Sequence, residues 1–204
     1  MTTERRIVVV SSGLREPSST RLLADRLAGA ARDALERVGV VADVEVVDVR
    51  EYAHDVVNAL VAGFPSARFA GVVRSVAEAD GLIAVTPIFN ASYSGLFKAF
   101  VDVLPEDALA GTPVLLAATG GTARHSLALE HALRPLFAYL QALVVPTAVF
   151  AAPEDWGGTA EESLHGRIRR ATEELADHVA RREPTVATDP FALPASFDEL
   201  LARD

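Results

Sequence analysis

The chain has no cysteine among its 204 residues. This excludes disulfides, thiolate metal sites and cysteine nucleophiles, so any redox chemistry needs a bound cofactor to carry the electrons. No apolar run approaches the ~20 residues that a membrane-spanning helix requires. The first residues lead into only a short apolar run, which is not the pattern of a signal peptide. We therefore expect a cytoplasmic protein with no membrane partner.

Basic residues are also scarce, since 19 Lys and Arg stand against 28 Asp and Glu, for a formal net charge of −9. A surface of this sign repels nucleic acid, so we expect no nucleic-acid partner. Half of the residues are hydrophobic, which is enough for a packed core, and the length suits one domain. We predict a domain over residues 1–182 and an irregular, proline-containing tail over residues 183–204, where only 197–202 has a helical pattern.

Several familiar signatures are absent. The chain has no G-x-G-x-x-G, which disfavours a dinucleotide bound at a Rossmann-type turn, and no G-x-x-x-x-G-K-[ST], which disfavours NTP hydrolysis. It also has no G-x-S-x-G nucleophile turn. The histidines lack metal-ligand spacing, and the acidic residues show no paired arrangement. The sequence thus predicts neither a metal site nor a catalytic side chain.

Apolar runs alternate with helical patterns along the chain, which predicts an α/β protein. Five strands that alternate with helices indicate an open parallel sheet with helices on both faces, most often in the order 2-1-3-4-5. In this arrangement the ligand lies at the carboxyl ends of the strands, so the loops after strands one, three and four should meet at one site. The predicted strands are residues 7–10, 41–49, 81–86, 112–119 and 143–150, and the predicted helices are 20–38, 51–62, 66–79, 94–104, 126–140 and 161–182. Pro135 inside the helix 126–140 should kink it or displace one turn.

The first of these loops, within residues 11–20, is rich in hydroxyl groups and contains one arginine. The free backbone N–H groups and the dipole of a helix N-terminus attract phosphate, and Arg15 adds a full charge in a forked geometry. The alternative is that Ser18, Ser19 and Thr20 only cap the helix. We favour a single terminal phosphate, as on a mononucleotide, because a cap needs neither an arginine nor so many hydroxyls.

The second loop, residues 86–95, has the composition of a surface for a planar ligand. Pro87 stiffens the backbone, Phe89 and Tyr93 could lie against a flat ring, and Asn90 can donate and accept hydrogen bonds at the polar edge of a ring. The alternative is an ordinary strand-to-helix turn in which Asn90 and a neighbouring serine act as caps.

The third loop, residues 118–126, contains the pair Gly120 and Gly121. Glycines let backbone N–H groups approach a ligand closely, and donors placed there would stabilise negative charge on a ring carbonyl. Arg124 and His125 flank the pair and are candidate substrate-binding residues. Their alternative roles are a solvated arginine and a helix-start histidine, and we favour that alternative for His125.

These residues resemble the motifs of the NAD(P)H-dependent FMN reductases. Residues 12–20 (SGLREPSST) are similar to the family motif G-S-x-R-x-x-S-x-[NT], and residues 86–98 (TPIFNASYSGLFK) to T-P-x-Y-N-x-S-x-x-G-x-L-K. The glycine pair with a following histidine resembles an actinobacterial subgroup, some members of which accompany flavin-dependent monooxygenases. The resemblance covers about residues 5–150.

The resemblance implies a three-layer, flavodoxin-like fold and an enzyme that uses FMN with NADPH or NADH. Hydride transfer to the flavin would be followed by delivery of electrons or reduced flavin to an acceptor such as a monooxygenase. It also implies a homodimer or homotetramer. Two alternatives stay open: an FMN-dependent quinone or azo reductase, and a flavodoxin-like electron carrier that does not turn over NAD(P)H.

The resemblance also implies site residues in three groups. Ser12-Gly13 inverts the usual glycine–serine pair, so phosphate binding would depend more on Arg15 and on backbone groups, and Phe89 replaces a tyrosine. The implied phosphate group is Ser11, Gly13, Arg15, Ser18, Ser19 and Thr20; the implied ring group is Pro87, Ile88, Phe89, Asn90 and Ser92; the implied pyrimidine group is Thr119, Gly120 and Gly121.

Overall fold

The computed structural model describes residues 3–157 and 159–182. The predicted tail, 183–204, lies outside the described residues, so the domain division at residue 182 stays a prediction. The strands are β1 (Thr3–Ser11), β2 (Val40–Asp48), β3 (Gly81–Phe89), β4 (Ser92–Tyr93), β5 (Pro113–Thr119), β6 (Leu143–Val144) and β7 (Val149–Ala151). The helices are α1 (Ser19–Arg37), α2 (Ala53–Ala62), α3 (Ala67–Ala77), α4 (Gly95–Val103), α5 (Arg134–Tyr139) and α6 (Thr159–Arg181).

The main sheet is parallel and runs in the order β2-β1-β3-β5, with β6 and β7 both paired to β5. This confirms the predicted order 2-1-3-4-5, with β6 and β7 together in the place of the fifth strand. The prediction of one continuous strand over 143–150 is wrong, because the ladder breaks between Val144 and Val149. Pro146 lies in this gap and has no N–H to donate to a neighbouring strand.

Both faces of the sheet are covered, which gives three layers. Side chains alternate along each strand, so Ile7 and Val9 face one side while Val8 and Val10 face the other, and all four are buried. α1 and α6 pack on the Ile7 side, and α2 to α5 pack on the other side. The continuously apolar strands are therefore explained by burial on two faces.

The prediction that strand three ends at residue 86 is wrong, because β3 continues to Phe89 and folds back as a hairpin with β4. The two turn residues, Asn90 and Ala91, have φ angles of 50° and 67°. Positive φ at both central positions is typical of the tight hairpin turn that Asn-Gly favours. Here alanine takes the place of that glycine, so the sequence carries no clear hairpin signal.

Of the two predicted effects of Pro135, a kink or a displaced turn, the structure shows the displaced turn. A single π-turn covers Leu129–Leu133, where the N–H of Arg134 donates to the carbonyl of Leu129, and α5 then begins at Arg134. Proline cannot supply the N–H that a regular helix requires, so the preceding turn widens. The remaining bounds agree with the predictions to within a few residues, except that residues 49–52 form a 3-10 turn before α2.

No single helix among the described residues combines the length and apolarity of a span; Val49–Ala62 and Ala67–Ala77 meet that criterion only when counted together, and they are bent by 89°.

Gly71→Ala is expected to raise the free energy of unfolding by about 0.5–1 kcal/mol, because glycine is a poor residue inside a helix. Gly71 is exposed within α3, and a Cβ added there meets no atom within 4 Å. Gly63→Ala is the matched control: it also has open space, but its φ is +81° at the end of α2, so alanine there should lower stability. Thermal unfolding of both variants checks the opposite signs.

Candidate functional site

A cleft of about 710 Å³ lies at the carboxyl edge of the sheet. Its walls come from the loop after β1, the end of β3 and the loop after β5, so the prediction that these segments meet is confirmed. Its volume falls in the usual range of roughly 300–1,000 Å³ for small-molecule sites. Ten of the predicted residues line it: Arg15, Ser18, Ser19, Thr20, Pro87, Ile88, Phe89, Thr119, Gly120 and Gly121.

Four of the remaining predicted residues do not line the cleft; two lie in the β3–β4 hairpin and two lie in the loop after β5. Asn90 is exposed at the tip of the hairpin, and Ser92 is half-buried where β4 pairs with Phe89 of β3. Arg124 and His125 are exposed in a 3-10 turn beyond the glycine pair. The structure therefore places these four beside the cleft rather than in its wall.

Ser11 and Gly13, the last two predicted residues, are both buried at the start of the first loop. Ser11 ends β1 and is fully buried, and its hydroxyl has no hydrogen-bond partner among the described residues. Gly13 packs against Ser18: a Cβ added at position 13 would lie 2.0 Å from Oγ of Ser18. Gly13 therefore leaves the space that the Ser18 side chain occupies.

The same contact explains the inverted Ser12-Gly13 pair. Ser12 is buried, donates its hydroxyl to the carbonyl of Val85 at 3.4 Å and receives the hydroxyl of Ser94 at 3.4 Å. The inversion thus directs one hydroxyl into the β1–β3 interior and away from the cleft. A serine at position 13 would clash with Ser18, so this loop requires glycine there.

Ser18 is the N-cap of α1, since its Oγ accepts the N–H of Arg21 at 3.2 Å. The cap-only alternative fits this residue but not its neighbours. Ser19 is exposed at the cleft, and Thr20 bonds across the cleft floor to Thr119, with 2.8 Å between the two Oγ1 atoms. Both threonines are buried, so this bond ties the start of α1 to the end of β5.

Thr119→Val is expected to lower the free energy of unfolding by about 1 kcal/mol, because it removes the Thr20–Thr119 bond and leaves a buried hydroxyl unpaired. Thr119→Ser, which keeps the hydroxyl, is the control and should be closer to the parent. Denaturant unfolding of the three proteins checks this ranking. Valine keeps the methyl group and serine keeps the hydroxyl, so parent-like stability of Thr119→Val would contradict the prediction, and a loss confined to Thr119→Ser would assign the effect to packing of the methyl group.

The charges around the first loop differ in how they are paired. Arg50 forms an ion pair with Glu16 at 3.2 Å, and Arg21 bonds to Asp25 at 2.8 Å. The hydrogen bond that Arg21 donates to the Asp25 carboxylate raises the pKa of Arg21 above its usual value. Arg15 lines the cleft and makes no ion pair within 4 Å with any residue that the structure describes. Its guanidinium is therefore the positive group open to an incoming anion.

The third loop differs from the expectation that both glycine amides point at a ligand. The N–H of Gly120 donates to the carbonyl of Ala151 at 3.1 Å, so for Gly120 the expectation is wrong. A Cβ at Gly120 would also lie 2.6 Å from Cζ of Phe150, whereas at Gly121 it meets no atom within 4 Å. Gly121 thus faces open space, and Gly120 packs against the protein.

The sequence reasoning missed four cleft residues: Leu14, Pro17, Leu22 and Pro153. Leu14 and Pro17 lie within the predicted phosphate loop, and Leu22 follows it. All three side chains are apolar and lack a reactive group, so no chemical pattern marked them. Pro153 follows β7, and the carboxyl end of β7 lies beside that of β5. Extending the carboxyl-edge rule to the fifth strand would have found it.

Comparisons with known proteins find relatives that cover most of the chain. A family model described as NADPH-dependent FMN reductase matches residues 5–157. An FMN reductase (NADPH) of Pseudomonas aeruginosa is 36% identical over 178 residues, which are 86% of this chain and 93% of that protein. The NADH-dependent FMN reductase SfnE of Pseudomonas putida is 36% identical over 85% of this chain and 91% of its own length.

Solved structures share the fold. An oxidoreductase from Corynebacterium diphtheriae superposes with a TM-score of 0.86 at 42% identity and covers 89% of this chain and 100% of its own. The apo form of the NADH:FMN oxidoreductase EMOB gives a TM-score of 0.71 at 29% identity and covers 82% of this chain and 88% of its own. The flavodoxin-like α/β fold and the predicted family are confirmed, and the chain belongs to the NADPH-dependent FMN reductase family.

Proposed function

We propose that this protein catalyses the reduction of FMN by NADPH or NADH, with FMN held in the cleft at the carboxyl edge of the sheet. The observation that carries the proposal is the convergence of three segments on one cleft of about 710 Å³, with Arg15 and hydroxyls at one end and an apolar wall and glycines at the other. When bound, FMN supplies the ring that accepts a hydride from the nicotinamide, while the protein provides binding and orientation.

The phosphate end fits a terminal phosphate by its donors. The Oγ of Ser18 accepts one bond from Arg21, so its own O–H remains available to donate. Ser19 lies at the cleft in the first turn of α1, where backbone N–H groups and the helix dipole favour an anion. Arg15 would add a charge-assisted hydrogen bond. Gly13 leaves room for Ser18 to hold its position.

The ring end fits a planar, mostly apolar group. Pro87, Ile88 and Phe89 lie on the extended end of β3, which its pairing with β4 and β5 makes rigid. Phe89 is 41% exposed, so it has surface left for a ligand to cover. Gly121, which faces open space, would present its N–H to a ring carbonyl, whereas Gly120 would contribute only the shape of the wall.

The lining of the cleft also suits hydride transfer. Among the described residues that line it, Arg15 is the one titratable side chain. Arginine stays protonated and is a poor acid or base at neutral pH. A reaction that needs a positioned carboxylate or histidine is therefore disfavoured, whereas hydride transfer needs no such group.

Anaerobic mixing of the FMN-loaded protein with NADPH and, separately, NADH tests the proposal. We expect the flavin absorbance in the visible range to bleach, and free FMN to be reduced over many turnovers. Loss of colour without reduction of free FMN, together with turnover of quinones or azo compounds, would favour the quinone or azo reductase. No bleaching with either nicotinamide would favour an electron carrier.

We also propose that the protein forms a homodimer or homotetramer. Support comes from an exposed apolar stripe on α2 and just beyond it, whose members recur at helical spacing: Val57, Leu60, Val61 and Phe64. Val61 is 86% exposed, so Val61→Glu should disturb an assembly more than it disturbs the fold. Light scattering of the parent and the variant after size exclusion checks this, and a monomeric parent would contradict it.

The proposed acceptor is a flavin-dependent monooxygenase that receives reduced flavin, and the proposed location is the cytoplasm, where NAD(P)H is supplied. A monooxygenase assay in which this protein and NAD(P)H are the only source of reduced flavin tests the first point, and cell fractionation tests the second. Oxygenase turnover no higher than without this protein would contradict the acceptor.

A further inference from the structure

We propose that Phe150 is a positioning residue for the FMN cleft, because its ring sets the location of the Gly120–Gly121 wall. This inference rests on the proposed function. Phe150 does not itself line the cleft, and neither the motifs nor the sequence spacing singled it out. It lies on β7, opposite Ala118 of β5, and is 8% exposed.

The contact between Gly120 and the ring is close. A Cβ added at Gly120 would lie 2.6 Å from Cζ and 3.5 Å from Cε2 of Phe150, and 3.5 Å from the carbonyl of Thr122. A real Cβ does not come within 3 Å of a ring carbon, so the backbone at Gly120 lies directly against the edge of the ring. The neighbouring Gly121 has no such neighbour within 4 Å. The ring therefore supports the wall at one residue and leaves the next open to the cleft.

Hydrogen bonds hold the backbone that carries the ring. The carbonyl of Phe150 accepts a hydrogen bond from Arg167 of α6 at 3.3 Å, and the same Nη2 bonds to Asp155 at 2.8 Å. Asp155 in turn accepts the N–H of Ala152 at 2.8 Å. Together with the β5–β7 ladder, these bonds fix the backbone on both sides of the ring. Because the backbone that carries the ring is fixed, we expect a Cβ at position 120 to be accommodated in part by a shift of the glycine wall.

A second cavity of about 390 Å³ borders the ring. It is lined by Phe150 together with Arg167, Asp155 and Glu130, whereas Gly120 lines the FMN cleft. Phe150 therefore contacts the Gly120 wall of the cleft and also borders the second cavity. A smaller side chain at position 150 would give a Cβ at position 120 room to occupy without pushing the wall into the cleft.

A double-variant experiment tests this. Gly120→Ala is expected to weaken FMN binding by about tenfold, and adding Phe150→Leu, which removes the ring edge, should return the dissociation constant to within about threefold of the parent. Gly120→Ala combined with Phe137→Leu is the matched control, since Phe137 is buried in α5 and does not line the cleft. Flavin fluorescence titration measures affinity, and thermal unfolding is recorded for each protein.

Recovery of affinity with Phe150→Leu but not with Phe137→Leu supports the inference, because a purely structural role would not restore binding selectively. Binding by the parent without recovery in the Phe150 double variant overturns this inference and leaves the proposed function intact. A parent that fails to bind FMN overturns both. If Gly120→Ala does not fold, the single variant Phe150→Leu tests the inference. Without the ring edge the glycine wall loses its support, so we expect a raised KM for FMN with little change in kcat. An unchanged KM overturns the inference.

Discussion

Gly13→Ala is expected to weaken FMN binding by about 2 kcal/mol, or roughly 30-fold. The new Cβ would lie 2.0 Å from Oγ of Ser18 and 3.1 Å from the Cβ atoms of Ser18 and Thr20. Ser18 would have to rotate and give up the bond with which it caps α1, at a cost of about 1 kcal/mol in stability. The loop backbone must also shift, which moves the hydroxyl and N–H donors away from the phosphate.

The control for this change is Gly29→Ala. Gly29 lies farther along the same helix α1, and a Cβ added there meets no atom within 4 Å. FMN titration should therefore separate the two alanine variants clearly, with Gly29→Ala close to the parent. If Gly13→Ala bound FMN as tightly as the parent, the phosphate would not lie over the Gly13–Ser18 contact.

Arg15→Ala is expected to weaken FMN binding by about 1.5–3 kcal/mol, which is roughly 10- to 150-fold, because it removes a charge-assisted hydrogen bond to the phosphate. Arg15 is exposed, so solvent screening places the expected loss toward the lower end of this range. The loss should shrink as salt concentration rises, since the interaction is between charges near solvent. Titrations at two salt concentrations measure both effects.

Arg32→Ala is the charge-matched control for Arg15→Ala. Arg32 is an exposed residue of α1 that does not line the cleft, and its removal changes the net charge by the same amount. We expect FMN affinity in this variant to match the parent at both salt concentrations. Equal affinity in Arg15→Ala and Arg32→Ala would remove Arg15 from the site and return the first loop to the cap-only interpretation.

The two predictions separate the two interpretations of the first loop. Capping depends on Ser18 alone, and Arg15 takes no part in it. A protein in which the loop only caps α1 would therefore lose stability in Gly13→Ala and keep its properties in Arg15→Ala. A protein that binds phosphate there loses flavin affinity in both.

Periodicity and chain order were sufficient to predict most of the fold. The apolar runs at 7–10, 81–86 and 112–119 became β1, β3 and β5, because strands buried on two faces must be apolar throughout. The order of the strands followed from the number of alternations, because a doubly wound sheet of five parallel strands most often has the order 2-1-3-4-5. The meeting of the three loops followed from the same topology, since parallel strands end at one edge.

The β3–β4 hairpin and the break between β6 and β7 could not be predicted in this way. The hairpin turn uses Asn90 and Ala91, and alanine at positive φ is tolerated only because the surrounding pairing of β3 with β4 holds it there. The break contains a single proline, whose effect on a strand depends on whether a neighbour needs its N–H. The hairpin lacks a local turn signal, and the break depends on pairing with β5, which is distant in the chain.

The sequence by itself determined the layers, the strand order and the residue types at the cleft, because these follow from local periodicity and from topology. Tertiary structure alone decided which glycine is open to the cleft: the N–H of Gly120 donates to the carbonyl of Ala151 and its Cα lies against Phe150, whereas a Cβ added at Gly121 meets no atom within 4 Å. It likewise decided that Gly13 leaves the space that the Ser18 side chain occupies and that Thr20 forms a hydrogen bond with Thr119. Each of these contacts joins atoms whose separation is set by packing, and no spacing along the chain encodes it.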